Sequence, residues 1–214
     1  MQIVKCEKVF STIAKIINFV EKTKMINMKD KRTDAEMVWT TLSSEKIFDR
    51  PWLTVRRDKV QLPNGHINDE YYTLHYPDWI NVIAETTDGQ IILERQYRHA
   101  LGRVSIEIPA GVIKQGENPL HAAQRELKEE TGYEGGQWTE LMTISANPST
   151  MDNLCHCFLA KGVTKLAEQH LDYAEDLEYF LEPKTSVRSM LLSGNFIQAL
   201  MIAPLYKYFF ADND

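Results

Sequence analysis

The stretch "GVIKQGENPLHAAQRELKEETGY", residues 111–133, carries the clearest structural signal in the chain. Asn118 is a good helix N-cap, and Pro119 suits the first helical position. Gly132 can adopt the left-handed conformation that ends a helix after Thr131. The sequence therefore predicts a helix over residues 119–131.

The apolar and the acidic side chains of this helix form two stripes. Acids three and four residues apart share one face and repel each other. The two stripe centres lie about 100° apart around the helix axis. The acids therefore border the buried side of the helix, where Arg125 can pair with Glu129 four residues later. The apolar stripe comprises Leu120, Ala123 and Leu127, and the acidic stripe comprises Glu126, Glu129 and Glu130.

A counterion would offset the repulsion among so many acids in one helix. Each like-charged pair costs about a few tenths of a kcal/mol unless it is neutralised. Glu117, just before the helix, adds a fourth carboxylate. Oxygen-rich clusters suit a hard divalent cation such as Mg²⁺ better than zinc. From spacing alone, a metal site and a solvated charged face both stay open.

Composition narrows the class of protein. The net charge of −6 and the pI near 5.6 argue against nucleic acid as the partner. The odd number of cysteines, three, favours a reducing compartment and hence the cytoplasm. Cys155 and Cys157 fit alternate positions of one strand better than a zinc pair. No apolar run is long enough to span a bilayer, so we expect no membrane partner.

Three regions follow one another along the chain. Residues 1–36 are expected to form a helical extension and a linker, with apolar residues at helical spacing over residues 9–20. This amphipathic helix would pack on the body or on a second chain, and an alternative start at Met25 or Met28 stays open. Residues 37–78 are rich in strand formers and include a turn at residues 63–65.

The third region, residues 79–214, mixes strands and helices. Asp88 and Gly89 between two apolar runs predict a tight hairpin. Further strand patterns follow, and the end of the chain is helical. The strands and helices interleave without a regular βαβ alternation, which predicts an α/β domain with a mixed sheet and helices on its faces.

Residues 111–133 resemble a known motif, the Nudix box G-x5-E-x7-R-E-U-x-E-E-x-G-U, where U is a bulky apolar residue. Tyr133 takes a position that is more often aliphatic. The resemblance implies a Nudix fold, an α/β/α sandwich around a mixed sheet. It also implies hydrolysis of a nucleoside diphosphate linked to another group. The matching positions are Gly111, Glu117, Arg125, Glu126, Leu127, Glu129, Glu130 and Gly132.

The resemblance also implies roles for the acids. Glu126, Glu129 and Glu130 match the family's ligands for Mg²⁺ or Mn²⁺, and Glu117 matches an auxiliary metal contact. Arg125 matches the arginine that orients the acids.

The flank "QYRHALGRVSIEIPAG", residues 96–111, is similar to that of ADP-ribose pyrophosphatases and related nucleoside-diphosphate-sugar hydrolases. This implies that the carbonyl of Ala110 is a further metal ligand. Gln96, Arg98 and Glu107 would line the substrate site, and Pro148 matches a proline that marks the ADP-ribose group. The small antiparallel β-region before residue 79 resembles one that often pairs or swaps with a partner subunit, so a homodimer is expected.

In the ADP-ribose group a glycine follows the proline that matches Pro148, and an acid comes four residues after that glycine. Two residues of this chain depart from the pattern. Ser149 stands for the glycine and Asn153 for the acid. These departures keep GDP- or UDP-sugars open as alternative substrates. A non-catalytic ligand-sensing module is a further alternative. The general base of relatives aligns best with Glu175, with Asp172 in reserve.

Together these resemblances imply a Mg²⁺-dependent enzyme that cleaves ADP-ribose to AMP and ribose 5-phosphate. An aromatic ring should stack on the base. Trp39, Trp52 and Tyr97 are the candidates, although residues of these types more often lie in a core.

Overall fold

The computed structural model describes residues 31–211, so the helix expected over residues 9–20 lies outside the described residues. The described chain divides into two compact units. One comprises residues 31–44 and 58–71, and the other comprises residues 45–57 and 72–211. Among residues 31–211, no helix is long and apolar enough to cross a membrane.

A short 3-10 helix, Asp34–Met37, precedes a three-stranded antiparallel sheet of order β1-β2-β3. Its strands are β1 (Thr40–Arg50), β2 (Leu53–Gln61) and β3 (Ile67–His75). The predicted turn before β3 is confirmed, since His66 O accepts from Leu62 N at 2.8 Å. All residues of β1 are exposed.

A second sheet has seven strands, five of them in the order β10-β5-β4-β9-β8. Strand β4 runs parallel to β9, whereas β10–β5, β4–β5, β4–β7, β5–β6 and β8–β9 are antiparallel pairs, which confirms the predicted mixed sheet. A second 3-10 helix, His99–Leu101, joins β5 to β6. The strands are β4 (Trp79–Thr86), β5 (Gln90–Arg98), β6 (Arg103–Glu107), β7 (Ala110–Val112), β8 (Tyr133–Ile144), β9 (Cys155–Lys165) and β10 (Leu177–Pro183).

Helices cover both faces of this sheet. Alternate residues of β4 point to opposite sides, so Ile80 and Val82 pack with helix α1 (Pro119–Thr131). Ile83 packs on the other side, with α2 (Lys184–Leu192) and α3 (Ala199–Phe210). The predicted α/β/α sandwich is therefore confirmed.

Helix α1 has the predicted bounds and caps. The Asn118 side chain accepts from Leu120 N at 2.9 Å, and Gly132 has a φ of 74°. Ala123 and Leu127 are fully buried. The acids lie at the border of this buried face, as helical spacing predicted.

Strands β4 and β5 pair at Glu85 and Ile91, next to their hairpin, and then take different neighbours. Residues 79–81 of β4 pair with β7, while residues 94–98 of β5 pair with β6. Strand β7 thus places Ala110 beside the acid-bearing helix, and strand β6 places Glu107 opposite Glu94 of β5.

Candidate active site

Arg125 on α1 binds three acids of the motif. Its Nε donates to Glu117 Oε1 at 2.8 Å, and its Nη1 lies 2.8 Å from Glu126 Oε1 and 3.0 Å from Glu129 Oε2. Hydrogen bonds from Arg125 lower the pKa of the Glu117 carboxyl to about 2. The guanidinium therefore holds these carboxylates in place, and its Nη2 also donates to Val112 O at 3.1 Å.

Three buried carboxyl groups lie together in the interior of the domain. Glu126, Glu130 and Glu94 of β5 are all buried, and Glu94 is close enough to Glu130 for one carboxyl group to donate to the other. Burial raises the pKa of Glu94 and that of Glu130, and the negative charge on each acid also disfavours ionisation of its acidic neighbours. The Glu126 pKa is also raised by burial, although Arg125 offsets part of that effect.

Glu126 and Glu130 line a cavity of about 510 Å³. Ala110 N donates to Glu130 Oε2 at 3.2 Å, which fixes the strand against the helix. Two arginines and a lysine also line the cavity, so it presents both positively and negatively charged side chains to a ligand. Its lining includes Trp52, Gln96, Tyr97, Arg98, Ala110, Lys114, Arg125, Glu126, Glu130, Asp172 and Glu175.

Arg98 and Glu107 form an ion pair at the cavity wall. Arg98 Nε donates to Glu107 Oε1 at 2.9 Å, and its Nη2 donates to Oε2 at 2.5 Å. Glu107 is buried, whereas the Arg98 side chain is 39% exposed. Glu107 therefore sets the orientation of Arg98, which faces the cavity.

Residues 166–176, between β9 and β10, bring Glu175 to the same cavity. Glu175 Oε2 accepts from Asp172 N at 2.9 Å, and Glu175 N donates to Asp172 O at 2.9 Å. The negative charge of Glu175 contributes to the raised pKa of Glu130. The candidate base thus lies near the buried acids.

The donor set fits a hard divalent cation. Among residues 31–211, no three His, Cys, Asp or Glu side chains are grouped as a closed metal site. Arg125 binds Glu117, and Glu94 contacts Glu130. The donors are nevertheless all anionic oxygens, which suit Mg²⁺ or Mn²⁺. Glu94 Oε1 is buried and has no hydrogen-bond partner among residues 31–211. Glu126, Glu130 and Ala110 all line the cavity, so they are the residues that would hold such an ion.

Some predicted residues lie outside this cavity. Glu117 and Glu129 face Arg125, and Glu107 contributes through Arg98. Pro148 is exposed and lines neither this cavity nor the larger one below. Asn153 donates to Pro77 O at 3.0 Å, so it stabilises the loop in which it stands.

The expectation that the three aromatic residues lie in a core is wrong. Trp39, Trp52 and Tyr97 are 45%, 72% and 57% exposed. Trp52 and Tyr97 line the acidic cavity, whereas Trp39 contacts Tyr71 edge-on. Two of the three are therefore available to stack on a base.

A larger cavity of about 610 Å³ shares Arg98 and β7 with the acidic one. It is lined mainly by apolar residues such as Leu101, Leu200 and Met201, and it lacks the α1 acids. We assign the chemistry to the smaller cavity, because it holds the carboxylates and Glu175.

Sequence reasoning missed Glu94. The available signal was an acid that directly follows three apolar residues of a strand, Ile91, Ile92 and Leu93, all of which are buried. An unpaired acid in such a position needs a partner, and here that partner is Glu130.

The fold and this acid-lined cavity define a Nudix protein. Residues 75–191 match the NUDIX domain, and residues 39–74 match the nucleoside diphosphate sugar hydrolase N-terminal domain. The chain belongs to the Nudix hydrolase family, whose members generally use divalent metals.

Relatives support this assignment. An ADP-ribose pyrophosphatase of Bacillus subtilis is 37% identical over 139 residues, which cover 64% of this chain and 75% of the relative. A methanol dehydrogenase activator of Bacillus methanolicus is 38% identical over 125 residues, covering 58% and 67%. The crystal structure of an ADP compounds hydrolase superposes with a TM-score of 0.69 at 24% identity, covering 78% of this chain and 90% of that one. This last likeness establishes the fold.

Proposed function

We propose that the protein is a Mg²⁺- or Mn²⁺-dependent pyrophosphohydrolase that cleaves ADP-ribose to AMP and ribose 5-phosphate. The observation that carries the proposal is the convergence of Glu126, Glu130 and Glu175 with Arg98 on one cavity, with Glu94 buried behind Glu130. The name of the Bacillus subtilis relative supports the choice of ADP-ribose.

Each residue has a distinct task in this proposal. Bound divalent ions, held by Glu126, Glu130 and the Ala110 carbonyl with Glu129 and Glu117 in support, would neutralise phosphate charge and activate water. Glu175 accepts a proton from the attacking water at its carboxylate. Arg98, fixed by Glu107, binds a phosphate oxygen.

The remaining residues position the substrate and the acids. Arg125 keeps the acids of α1 in place through its three ion pairs. Trp52 or Tyr97 stacks on the base, and Gln96 offers an amide to the sugar or the diphosphate. Asp172 is the reserve base, since it lines the same cavity.

A second candidate keeps the chemistry and changes the substrate to another nucleoside diphosphate sugar. The match of residues 39–74 to the N-terminal domain of that class favours it. The substitutions Ser149 and Asn153, where the ADP-ribose group has a glycine and an acid, point the same way.

A substrate panel separates these candidates. Purified protein would be incubated with ADP-ribose, GDP-mannose, UDP-glucose and a dinucleotide, with Mg²⁺ or Mn²⁺ or with chelator, and kcat/KM measured. We expect ADP-ribose to be hydrolysed fastest, and only with metal. Faster turnover of a GDP- or UDP-sugar would replace the substrate. Metal-independent turnover would contradict the proposed metal dependence. No turnover of any substrate would contradict the enzymatic function and favour a ligand-sensing role.

We further propose a cytoplasmic homodimer. Exposed apolar residues of the N-terminal strands, Leu42, Ile47 and Phe48, are each 45–47% exposed and suit an interface. Light scattering coupled to size exclusion would test the proposal, with twice the chain mass of 24.7 kDa as the expected result.

A further inference from the structure

The end of helix α1 is capped by the segment that carries Glu175. The last four carbonyls of an α-helix lack partners within the helix. In α1, Lys128 O accepts from Gly132 N, and Glu129 O accepts from His170 N at 2.8 Å. Gly132 O accepts from both Leu166 N at 3.0 Å and Ala167 N at 3.1 Å. Residues 166–170 therefore lie directly on the C-terminal end of the acid-bearing helix.

The carbonyl of Glu130 is satisfied by a side chain instead. Gln169 Nε2 donates to Glu130 O at 2.7 Å, and the same nitrogen lies 3.4 Å from Leu177 O. Leu177 begins β10, two residues after Glu175. One half-buried amide group thus joins the backbone of an acid on α1 to the backbone just beyond the candidate base.

This link opposes a repulsion. Glu175, Glu126 and Glu130 all line the acidic cavity, and the negative charge that these acids share acts to push residues 172–176 away from α1. Apart from the Asp172–Glu175 turn, the described contacts that hold Glu175 near the helix pass through residues 166–170 and Leu177. A neutral amide with two N–H donors suits this position, because a carboxylate would face two carbonyl oxygens.

We infer that Gln169 is a positioning residue for hydrolysis, which sets the distance between Glu175 and the acids of α1. The inference rests on the proposed function, in which Glu175 accepts the proton of the attacking water. Gln169 does not line the acidic cavity, so we expect its effect on the reaction to pass through Glu175. Binding of the diphosphate depends on other residues and should not change.

The test is a double-mutant cycle of Gln169→Ala and Glu175→Gln, with kcat and KM measured for ADP-ribose. We expect Gln169→Ala to lower kcat about tenfold to a hundredfold and to change KM less than about twofold, because small misplacements of reacting groups cost this much. In the Glu175→Gln background, Gln169→Ala should lower kcat no further, since the residue through which it acts is already lost.

Two further variants separate positioning from folding. Gln169→Glu keeps the shape and loses the donors, so it should lower kcat as Gln169→Ala does. Glu168→Ala is the matched control, because Glu168 is its exposed neighbour, with a side chain 96% exposed. Circular dichroism would confirm that each variant is folded at the assay temperature.

The outcomes are distinct. An additive cycle, a change in KM alone, or wild-type kcat in both Gln169 variants would overturn the inference. An inactive wild-type protein would contradict the proposed function itself. If the wild type is active and Glu175→Gln retains full kcat, the enzyme stands, but the positioning role is refuted, because its target has no role.

Discussion

Arg98 and Glu107 bind each other through two hydrogen bonds, of 2.9 and 2.5 Å, at the wall of the acidic cavity. The pair brings a buried carboxylate and a half-exposed guanidinium together on neighbouring strands. A guanidinium fork held in this way has a fixed direction, which a lysine in its place would lose.

We therefore expect Arg98→Lys to raise KM for ADP-ribose about tenfold, since one charge-assisted hydrogen bond is worth about 1.5 kcal/mol. Arg95→Lys is the matched control, because Arg95 is exposed and lies 3.9 Å from Glu178. Steady-state kinetics would measure both. An unchanged KM in Arg98→Lys would remove Arg98 from the substrate site.

Glu130→Gln should lower the rate of metal-dependent hydrolysis about a hundredfold or more, because the ions supply several kcal/mol of stabilisation to the transition state. The metal-free protein should keep its melting temperature, since burial raises the pKa of Glu130 and a neutral isostere suits that place. Glu134→Gln, which changes an acid paired with Lys128, is the control. Undiminished hydrolysis in Glu130→Gln would contradict the proposed metal site.

Gly132→Ala should destabilise the protein more than Gly162→Ala. Both glycines have positive φ, so each substitution costs about 1–2 kcal/mol in backbone strain. A Cβ at Gly132 would also overlap Ala167 O, whereas nothing lies within 4 Å of one at Gly162. Urea unfolding would measure the difference, expected to be about 1–3 kcal/mol. Equal losses would show that residues 166–170 do not press on the helix end.

Stability should fall at acid pH partly through Glu85. Burial acts to raise the Glu85 pKa, but hydrogen bonds from Lys184 at 2.6 Å and Tyr208 at 2.9 Å outweigh it and lower the pKa below 4.5. A lowered pKa contributes stability that is present above the unfolded value and is lost as pH falls through the folded one. Glu85→Gln should therefore lose less stability than the wild type between pH 6 and pH 3, roughly the range of carboxyl titration. Melting curves at several pH values would show the two proteins converging at low pH; parallel curves would contradict the assignment.

The sequence predicted α1 well because its signals are local. Asn118, Pro119 and Gly132 act on the backbone within a few residues of themselves, and the helical period places the acids. The hairpin at Asp88 and Gly89 was equally local. The mixed character of the sheet followed from the absence of a regular alternation.

The cavity depended on contacts distant in sequence, which local patterns do not specify. Glu94 meets Glu130, and Gln169 meets both Glu130 and Leu177, only once the sheet has formed. The exposure of Trp52 and Tyr97 likewise depends on what packs beside them, so residue type alone gave the wrong expectation.

Gly111, the first residue of the opening stretch, gives the motif a second meaning. Its φ is ordinary, but a Cβ there would overlap the carboxyl group of Glu126. The lack of a side chain at Gly111 thus leaves room on β7 for the carboxyl group of Glu126, which Arg125 binds. A chain that keeps every glutamate of the motif but carries alanine at this position would have a displaced Glu126. A count of the acids alone would therefore overestimate how many such sequences preserve the arrangement. The glycine should be weighed equally with the acids when relatives are sorted into hydrolases and inactive homologues.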